Sequence, residues 1–358
     1  MAGNGNTVQG YANFIGAGSS NSGTSGSAVT TQSGTMNGTT AVTLSGSNAS
    51  IKVGQYISGT SIGSETYVAA ISGTSLTLSK NASGSSTNTL TFYTPHGVVV
   101  GGGNNQATGS YSFIGGGGDA GTAGNRNVAS GDWSVVGGGF KNVASGIQSF
   151  IGGGTNNIAN QQLSMVLAGD NNTAGAYSAS VLGGRYNTSN ATYSTTVGGF
   201  FGTTRGIQGN TVFAACNAPL GFTAGYSQGA LLILAIQTTT ATATVITSDG
   251  SAASGTNQVI LPNNSAYYFR GEIIAGVTGA GNTKGWYIEG VIKRGAGVGT
   301  TVLVGSTVSS LYGDAGAVTW TIGLTADTTN GGLAVTATGQ ASTTIRWVAQ
   351  IRTTEMTY

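Results

Sequence analysis

A short repeat of about 15 residues fills the middle of this 358-residue chain and narrows the folds open to it. Each copy has an apolar residue, then two or three small residues that are mostly glycine, then a polar stretch holding Asn or Ser. The apolar anchors are Val100, Ile114, Val136, Ile151, Leu167, Leu182 and Val197. A period this short is too small for a helical hairpin or a propeller blade, but it matches one coil of a stacked β structure. The repeat therefore predicts an elongated parallel β-roll or β-solenoid shaft.

Composition supports a folded β protein and excludes several other classes. The chain has 64 glycines but only 3 prolines and no Gly-X-Y period, which excludes collagen. Charged residues make up 6% of the chain with a formal net charge of +2, so we expect no nucleic-acid partner. Apolar residues make up 39% and recur in register, which favours a packed structure over disorder.

The spacing of the repeats divides the chain into four parts. A first copy surrounds Ile15, and the next anchor, Val100, comes far too late for a single coil. Between them lie short alternating segments at 51–57, 67–71, 76–78 and 90–93. We therefore expect a docking segment and first shaft repeat at 1–27 and a small all-β module at 28–95. The shaft follows at 96–211 and a C-terminal domain at 212–358. Asp119 to Asn125 falls in a longer, 22-residue step and predicts a loop that bulges from the shaft.

The C-terminal part changes to longer strands with a period of two. The clearest is the final segment, 345–352, in which Ile345, Trp347, Ala349 and Ile351 alternate with more polar residues. About eight such strands in this part of the chain predict a jelly-roll-like β-sandwich. The segment 279–285 is glycine-rich but lies between two strands, so a hairpin loop is favoured over a phosphate-binding loop. Trp286, Trp320 and Trp347 are expected in the core.

Segments in three parts of the chain resemble known families. Tyr111 to Gly116 and Asn142 to Gly146 resemble the head repeats of trimeric autotransporter adhesins, over roughly residues 97–209. That resemblance implies a homotrimer of parallel β-rolls, although we expect no membrane anchor of the kind that ends those adhesins. Val53 to Thr60, followed by Ile71 to Ser79, resembles small β modules of phage structural proteins. Leu261 to Ser265 and the Trp-bearing final strand resemble the C-terminal domains of tailed-bacteriophage fibre proteins.

Aromatic side chains on the C-terminal strands are the candidate glycan-binding residues, because sugar faces stack on aromatic rings. We expect Tyr267, Tyr268, Tyr287 and Tyr312 on the surface, with Tyr287 on the same side of its strand as Glu289. Trp133 and Tyr111 recur at the same point of their repeats, where stacking along the shaft is the simpler interpretation.

No catalytic or metal centre is predicted. Glu272 and Glu289 could meet across neighbouring strands, but solvated or Arg-paired carboxylates are favoured over a catalytic pair. One histidine, His96, and one cysteine, Cys216, are too few ligands for a zinc site. The sequence also gives no basis for assigning a Ser-His-Asp triad. Cys216 is expected to be a small buried residue. We therefore expect no enzyme activity, no metal and no cofactor.

These expectations combine into a function. The N-terminal residues lack an export signal, and no apolar run is long enough to cross a bilayer. Release from a lysed host would explain a fibre without such a signal. We expect a homotrimeric tail fibre on the virion of a tailed bacteriophage, attached through its N-terminal end to another virion protein and binding a host surface polysaccharide. A capsid decoration or head-fibre protein and a polysaccharide-degrading tailspike remain as alternatives.

Overall fold

A computed structural model describes residues 5–6, 14–21, 28–53, 55–64, 66–93, 97–216, 220–279 and 281–358. These residues form β-strands with three short 3-10 turns, at Ala123–Asn125, Val298–Thr300 and Ala315–Ala317. The chain divides into two compact units, Met1–Gly169 and Asp170–Tyr358. The predicted all-β class is confirmed: the units together contain about eight turns of parallel β-solenoid and a curled antiparallel sheet.

The solenoid of the first unit has two parallel sheets, and each turn gives one short strand to each sheet. The first sheet runs in the order β1 (Phe14–Ile15), β8 (Val98–Val99), β10 (Phe113–Ile114), β12 (Val135–Val136), β14 (Phe150–Ile151) and β16 (Met165–Val166). The second contains β9 (Gln106–Ala107), β11 (Val128–Ala129), β13 (Val143–Ala144) and β15 (Ile158–Ala159). The strands are only two residues long because tight corners separate them. Gly146 lies at such a corner, where an added Cβ would collide with the carbonyl oxygen of Gln161.

The inward residues of the first sheet correct the predicted alignment of the repeat. Ile114, Val136 and Ile151 are buried as expected, but Val100 and Leu167 are exposed, and Val99 and Val166 take the inward places. In a strand, a shift of one residue moves a side chain to the opposite face. The same correction applies in the second unit to Leu182 and Val197, where Val181 and Thr196 are buried instead. With the inward residues assigned in this way, paired residues of neighbouring strands, such as Phe150 of β14 and Met165 of β16, are 15 positions apart in the sequence.

An asparagine ladder lines the inside of the solenoid. Asn142 donates its side-chain amide to the carbonyl oxygens of Gly138 (3.0 Å) and Gly154 (2.8 Å), in its own turn and the next. Its Oδ1 accepts the backbone N–H of Asn157 at 2.9 Å. The other fully buried members are Asn21, Asn105, Asn127 and Asn157 in the first unit, and Asn172 and Asn187 in the second. Each amide satisfies backbone groups that the sharp corners leave unpaired.

The longer step in the repeat forms the expected loop. Between β10 and β11 the chain makes a 3-10 turn at Ala123–Asn125. Asp119 holds this loop by accepting hydrogen bonds from the backbone of Gly121 (2.8 Å) and the side chain of Asn125 (3.0 Å). These bonds, that from Asn125 first, hold the pKa of the Asp119 carboxyl below its ordinary value of 3.8.

An antiparallel six-stranded sheet lies between β1 and β8. Its strands are β2 (Thr30–Asn37), β3 (Ala41–Leu44), β4 (Tyr56–Ser58), β5 (Val68–Ser72), β6 (Ser75–Leu78) and β7 (Ser85–Tyr93). The spatial order is β4-β7-β2-β3-β6-β5. Its core contains Leu90, Phe92 and Ile57, all fully buried. Lys52 of this module forms an ion pair with Asp132 of the solenoid.

The second unit begins with solenoid strands β17 (Thr173–Ala174), β18 (Ser180–Val181), β19 (Thr188–Ser189) and β20 (Thr195–Thr196). The next strand, β21 (Thr211–Ala214), pairs parallel with β20 on one side. On its other side it pairs antiparallel with β22 (Ser227–Thr238). One sheet therefore continues from solenoid strands into the C-terminal domain.

The C-terminal domain is a two-layer antiparallel sandwich. The first layer has the order β22, β30 (Ile345–Thr357), β25 (Ser265–Val277), β26 (Thr283–Arg294) and β27 (Val302–Gly313). The second contains β23 (Thr244–Val245), β24 (Val259–Ile260), β28 (Thr321–Asp327) and β29 (Gly332–Thr338). Consecutive strands β25, β26 and β27 form a meander within one layer, and the hairpin predicted at 279–285 joins the first two.

Three tryptophans fill the space between the layers, as predicted. Trp286 stacks on Trp347 with ring centroids 5.5 Å apart, and the Trp320 ring lies 6.0 Å from that of Trp347. Ile345, Trp347, Ala349 and Ile351 are all fully buried, which confirms the alternation of the final strand. The prediction of a buried Cys216 is wrong, because this residue is exposed. His96 lies outside the described residues.

Candidate functional site

The exposed face of the five-stranded layer carries the candidate site. The alternation of β25 sends Tyr267, Phe269 and Ile273 into the core. The residues between them, Tyr268, Arg270, Glu272 and Ile274, therefore point to solvent. We call this solvent-facing side the outer face.

Strand register assembles the outer face from residues far apart in sequence. Arg270 lies directly opposite Arg352 of β30 on one side and Glu289 of β26 on the other. In the next row, Glu272 lies opposite Gln350 and Tyr287. Residues opposite each other on adjacent strands have Cβ atoms about 5 Å apart. The face therefore presents a lattice of charged, amide and phenolic groups.

A carboxylate with two tyrosines forms the best-ordered part of this lattice. The hydroxyls of Tyr268 and Tyr287 both donate to Oε2 of Glu289, each at 3.1 Å. Desolvation, and then the hydrogen bond to Glu289, raise the pKa of Tyr287 above its ordinary value of 10.0. Tyr287 therefore keeps its proton at neutral pH and stays a donor. The two rings are held in place with part of their surface open to solvent.

The two arginines have no acidic partner among the described residues. With its amide oxygen turned toward Arg352, Gln350 accepts from Nη2 at 3.0 Å and from Nε at 3.3 Å. The ion pairs in the described part of the chain are Lys52–Asp132, Arg185–Asp170 and Arg205–Glu355. Arg270 and Arg352 are therefore two exposed cations that face each other without a neutralising carboxylate.

Three grooves border Tyr268 or Tyr312 on the outer face, and a fourth, of about 440 Å³, lies beside Arg346. The largest, about 810 Å³, lies between Glu272, Ile274 and Tyr312. The second, about 550 Å³, is lined by Arg270, Arg352 and Tyr268; we call it the arginine groove. The third, about 360 Å³, lies between Tyr268, Glu289 and the edge strand β27. Tyr268 forms a wall of both the second and the third groove, so they are neighbours on one surface.

The structure places the four predicted tyrosines differently. Tyr268 and Tyr287 lie on the outer face, as predicted, and Tyr287 is on the same side as Glu289. Tyr312 is 85% exposed at the largest groove. The expectation that Tyr267 is at the surface is wrong: its side chain is buried in the sandwich core, where burial raises its pKa well above 10.0.

The two glutamates of interest share the outer face without pairing. Glu272 lies opposite Tyr287, and Glu289 lies opposite Arg270, one row away. The expected alternatives for these carboxylates were solvation or pairing with Arg. Neither Glu272 nor Glu289 is in an ion pair within the described chain, and Glu289 is held by tyrosine hydroxyls instead. Their arrangement can bind hydroxyl groups of a ligand.

Sequence reasoning missed Arg270, Arg352 and Gln350 as site residues. The signals were the polar half of the alternation in the last strand, for Gln350 and Arg352, and the same alternation in β25, for Arg270. These signals were insufficient because β30 pairs with both β22 and β25, and this order cannot be read from local patterns.

Other candidate features have structural roles. Tyr111 and Trp133 stack along the solenoid with ring centroids 6.0 Å apart and planes 9° from parallel, as predicted. Within the described ranges, no cluster of three or more His, Cys, Asp or Glu residues could hold a metal ion. No helix among the same residues has the length and hydrophobicity needed to cross a membrane.

Comparison with known proteins gives no family assignment: no protein-family model matches the chain, and no curated protein has a significantly similar sequence.

Proposed function

We propose that the protein is a homotrimeric fibre on the virion of a tailed bacteriophage and that its outer face binds a host surface glycan without cleaving it. The observation that carries the glycan proposal is the cluster of Tyr268, Tyr287 and Glu289 beside three open grooves. Aromatic rings offer stacking faces, and carboxylate and amide groups accept and donate hydrogen bonds to sugar hydroxyls. Open grooves along one face of a sheet suit an extended polymer better than a small metabolite.

The trimer proposal rests on apolar side chains that point away from the solenoid. On the first sheet the outward positions carry Phe14, Val100, Phe113, Phe150 and Leu167 in the first unit, and Leu182, Val197 and Phe213 in the second. These side chains are between 36% and 54% exposed. We call this set the apolar stripe. The outward side of the second sheet is more polar and includes Gln106, Ser130 and Ser145.

The apolar stripe has too many bulky groups to be an ordinary surface. Scattered apolar residues are normal at a protein surface, but a row on successive strands within each unit is typical of an interface. Burial against two further copies would remove this row from water. On the virion side, we expect another virion protein to bind the N-terminal end, in 1–27 or in the module of 28–95.

Sedimentation and light scattering of the purified chain test the trimer. We expect a mass three times that of the 35.3 kDa chain. Replacing Phe150 and Leu167 by Gln should weaken the trimer, whereas Val143→Gln on the outward side of the second sheet should leave it intact. A monomer at micromolar concentration would refute the trimer.

An array of purified bacterial surface polysaccharides tests glycan binding with the full chain. Tyr268→Ala and Tyr287→Ala should each reduce binding at least about fivefold, because anchoring aromatics dominate many binding sites. Tyr358→Ala is the matched control, since this exposed tyrosine neither lines one of the three grooves nor belongs to the cluster of Tyr268, Tyr287 and Glu289. Equal loss in all three variants, or no binding to any polysaccharide, would argue against this role. Release of reducing ends from a bound polysaccharide would instead identify a tailspike enzyme.

A further inference from the structure

We propose that the arginine groove binds an acidic group, a carboxylate or phosphate, of an anionic host surface polysaccharide. This inference rests on the proposed function and specifies its ligand class. It starts from the pair Arg270 and Arg352, which the register of β25 and β30 places directly opposite each other on the outer face. Like charges in this position destabilise a sheet unless something compensates them.

The described residues supply no ion pair to compensate these like charges. Glu289 lies opposite Arg270, yet its Oε2 is taken by the hydroxyls of Tyr268 and Tyr287, and no carboxylate of the described residues lies within ion-pair distance of either arginine. Arg352 has the neutral amide of Gln350 as its partner. The outer face also carries Arg346 and Lys293 among its exposed residues, so cations outnumber the two carboxylates.

The groove has the shape and the donors for such a group. Its volume of about 550 Å³ is within the usual range of small-ligand sites. Arg270 offers a guanidinium fork that matches a carboxylate or phosphate in two-point contact. Arg352, whose Nε and Nη2 donate to Gln350, adds its remaining N–H donors from the adjacent strand. Tyr268 forms one wall, so a sugar ring could stack beside the anion.

The charge also argues against a second copy of this chain as the occupant. Phe213, the last residue of the second unit's part of the apolar stripe, lines the arginine groove, so the surface of this unit changes there from apolar to charged. Burying two unpaired guanidinium groups in a subunit interface would cost more than packing could return. We therefore assign subunit contact to the apolar stripe and ligand binding to the arginine groove.

The experiment compares each polysaccharide that binds with chemically matched neutral forms. Carboxylates are reduced to alcohols in one form, and phosphates are removed in another. We expect binding to an acidic polysaccharide, with a loss of about tenfold or more when its acidic group is removed. Arg270→Gln and Arg352→Gln should each reproduce a loss of about that size, and raised salt should weaken binding. Arg346→Gln is the control, because it removes a charge from the same strand and face about 20 Å from Arg352.

Each outcome decides between the proposals. Binding only to neutral polysaccharides, or binding unchanged by removal of the acidic groups, overturns the acidic ligand and leaves the glycan-binding proposal intact. Absence of binding to any polysaccharide overturns both. If the arginine variants lower the oligomeric mass while the wild type binds no polysaccharide, the groove is a subunit contact. Should either arginine variant fail to fold, the modified polysaccharides still decide the question with the wild-type chain.

Discussion

The solenoid turns and the C-terminal sandwich bury different kinds of side chain, although both are built from β-strands. A solenoid turn encloses small or medium side chains such as Ile151 and Ala159 with a hydrogen-bonded Asn, and its large aromatics lie outside. The sandwich encloses Trp286, Trp320 and Trp347. A thin coil has no room for large rings, so its stability must come from the inner ladder and from an external partner, whereas the sandwich makes its own core.

The same substitution in the two regions gives the sharpest test of this comparison. Trp347→Ala should destabilise the sandwich by about 3–5 kcal/mol, because it removes a fully buried ring and leaves a cavity. Trp133→Ala, on an exposed ring of the solenoid, should cost below about 1 kcal/mol in a monomer. Denaturant unfolding followed by near-UV circular dichroism measures both. Similar losses at low protein concentration would mean that the two regions bury their aromatics equally.

The asparagine ladder gives the second largest expected effect. Asn142→Ala removes the amide that bonds to Gly138 and Gly154 and the oxygen that accepts the Asn157 N–H. Leaving these buried groups unpaired should cost about 2–4 kcal/mol. Asn160→Ala, at an exposed position after β15, should change stability by less than about 0.5 kcal/mol. Hydrogen exchange of the solenoid amides measures the difference, and equal protection in both variants would rule out a stabilising ladder.

The sequence predicted the solenoid because its period is local, and the residues of one turn repeat in the next. It did not predict the ladder, because an Asn in a polar stretch is equally suited to a surface turn until the coil is closed. The anchor alignment failed at Leu167, since both of its neighbours Val166 and Ala168 are apolar and only the pairing of β14 with β16 selects the inward residue.

The site was partly predictable for a related reason. Tyr267 and Tyr268 are consecutive in one strand, so they must face opposite sides, and only one of them can lie on the outer face. The outward positions of Tyr268 and Tyr287 could be predicted from the alternation within their strands. The pairing of Arg270 with Arg352 could not, because these residues meet only when the last strand of the chain inserts between β22 and β25.

The smallest effect concerns pH and again separates the two regions. The solenoid ladder is built from neutral amides, whereas the sandwich hairpin between β28 and β29 is held by Asp327. Burial alone would raise the pKa of this carboxyl, but hydrogen bonds from Gln258, Asn330 and two backbone amides outweigh it and hold the pKa below 3.8. A group whose pKa is lowered on folding stabilises the fold above its unfolded pKa and loses that effect as the pH falls through its folded pKa.

Asp327→Asn should therefore lower the stability of the sandwich at pH 7 by less than about 1 kcal/mol, because the carboxyl is partly exposed and screened. The gap between variant and wild type should close as the pH falls below 3.8, where the wild-type carboxyl takes up its proton. Denaturant midpoints at pH 7, pH 4 and about pH 2.5 measure this gap. Asn142→Ala provides the contrast, since its loss should be the same at pH 7 and pH 4. A gap for Asp327→Asn that widens on acidification would show that the carboxyl is stabilised in its protonated form, opposite to the hydrogen-bond pattern of this hairpin.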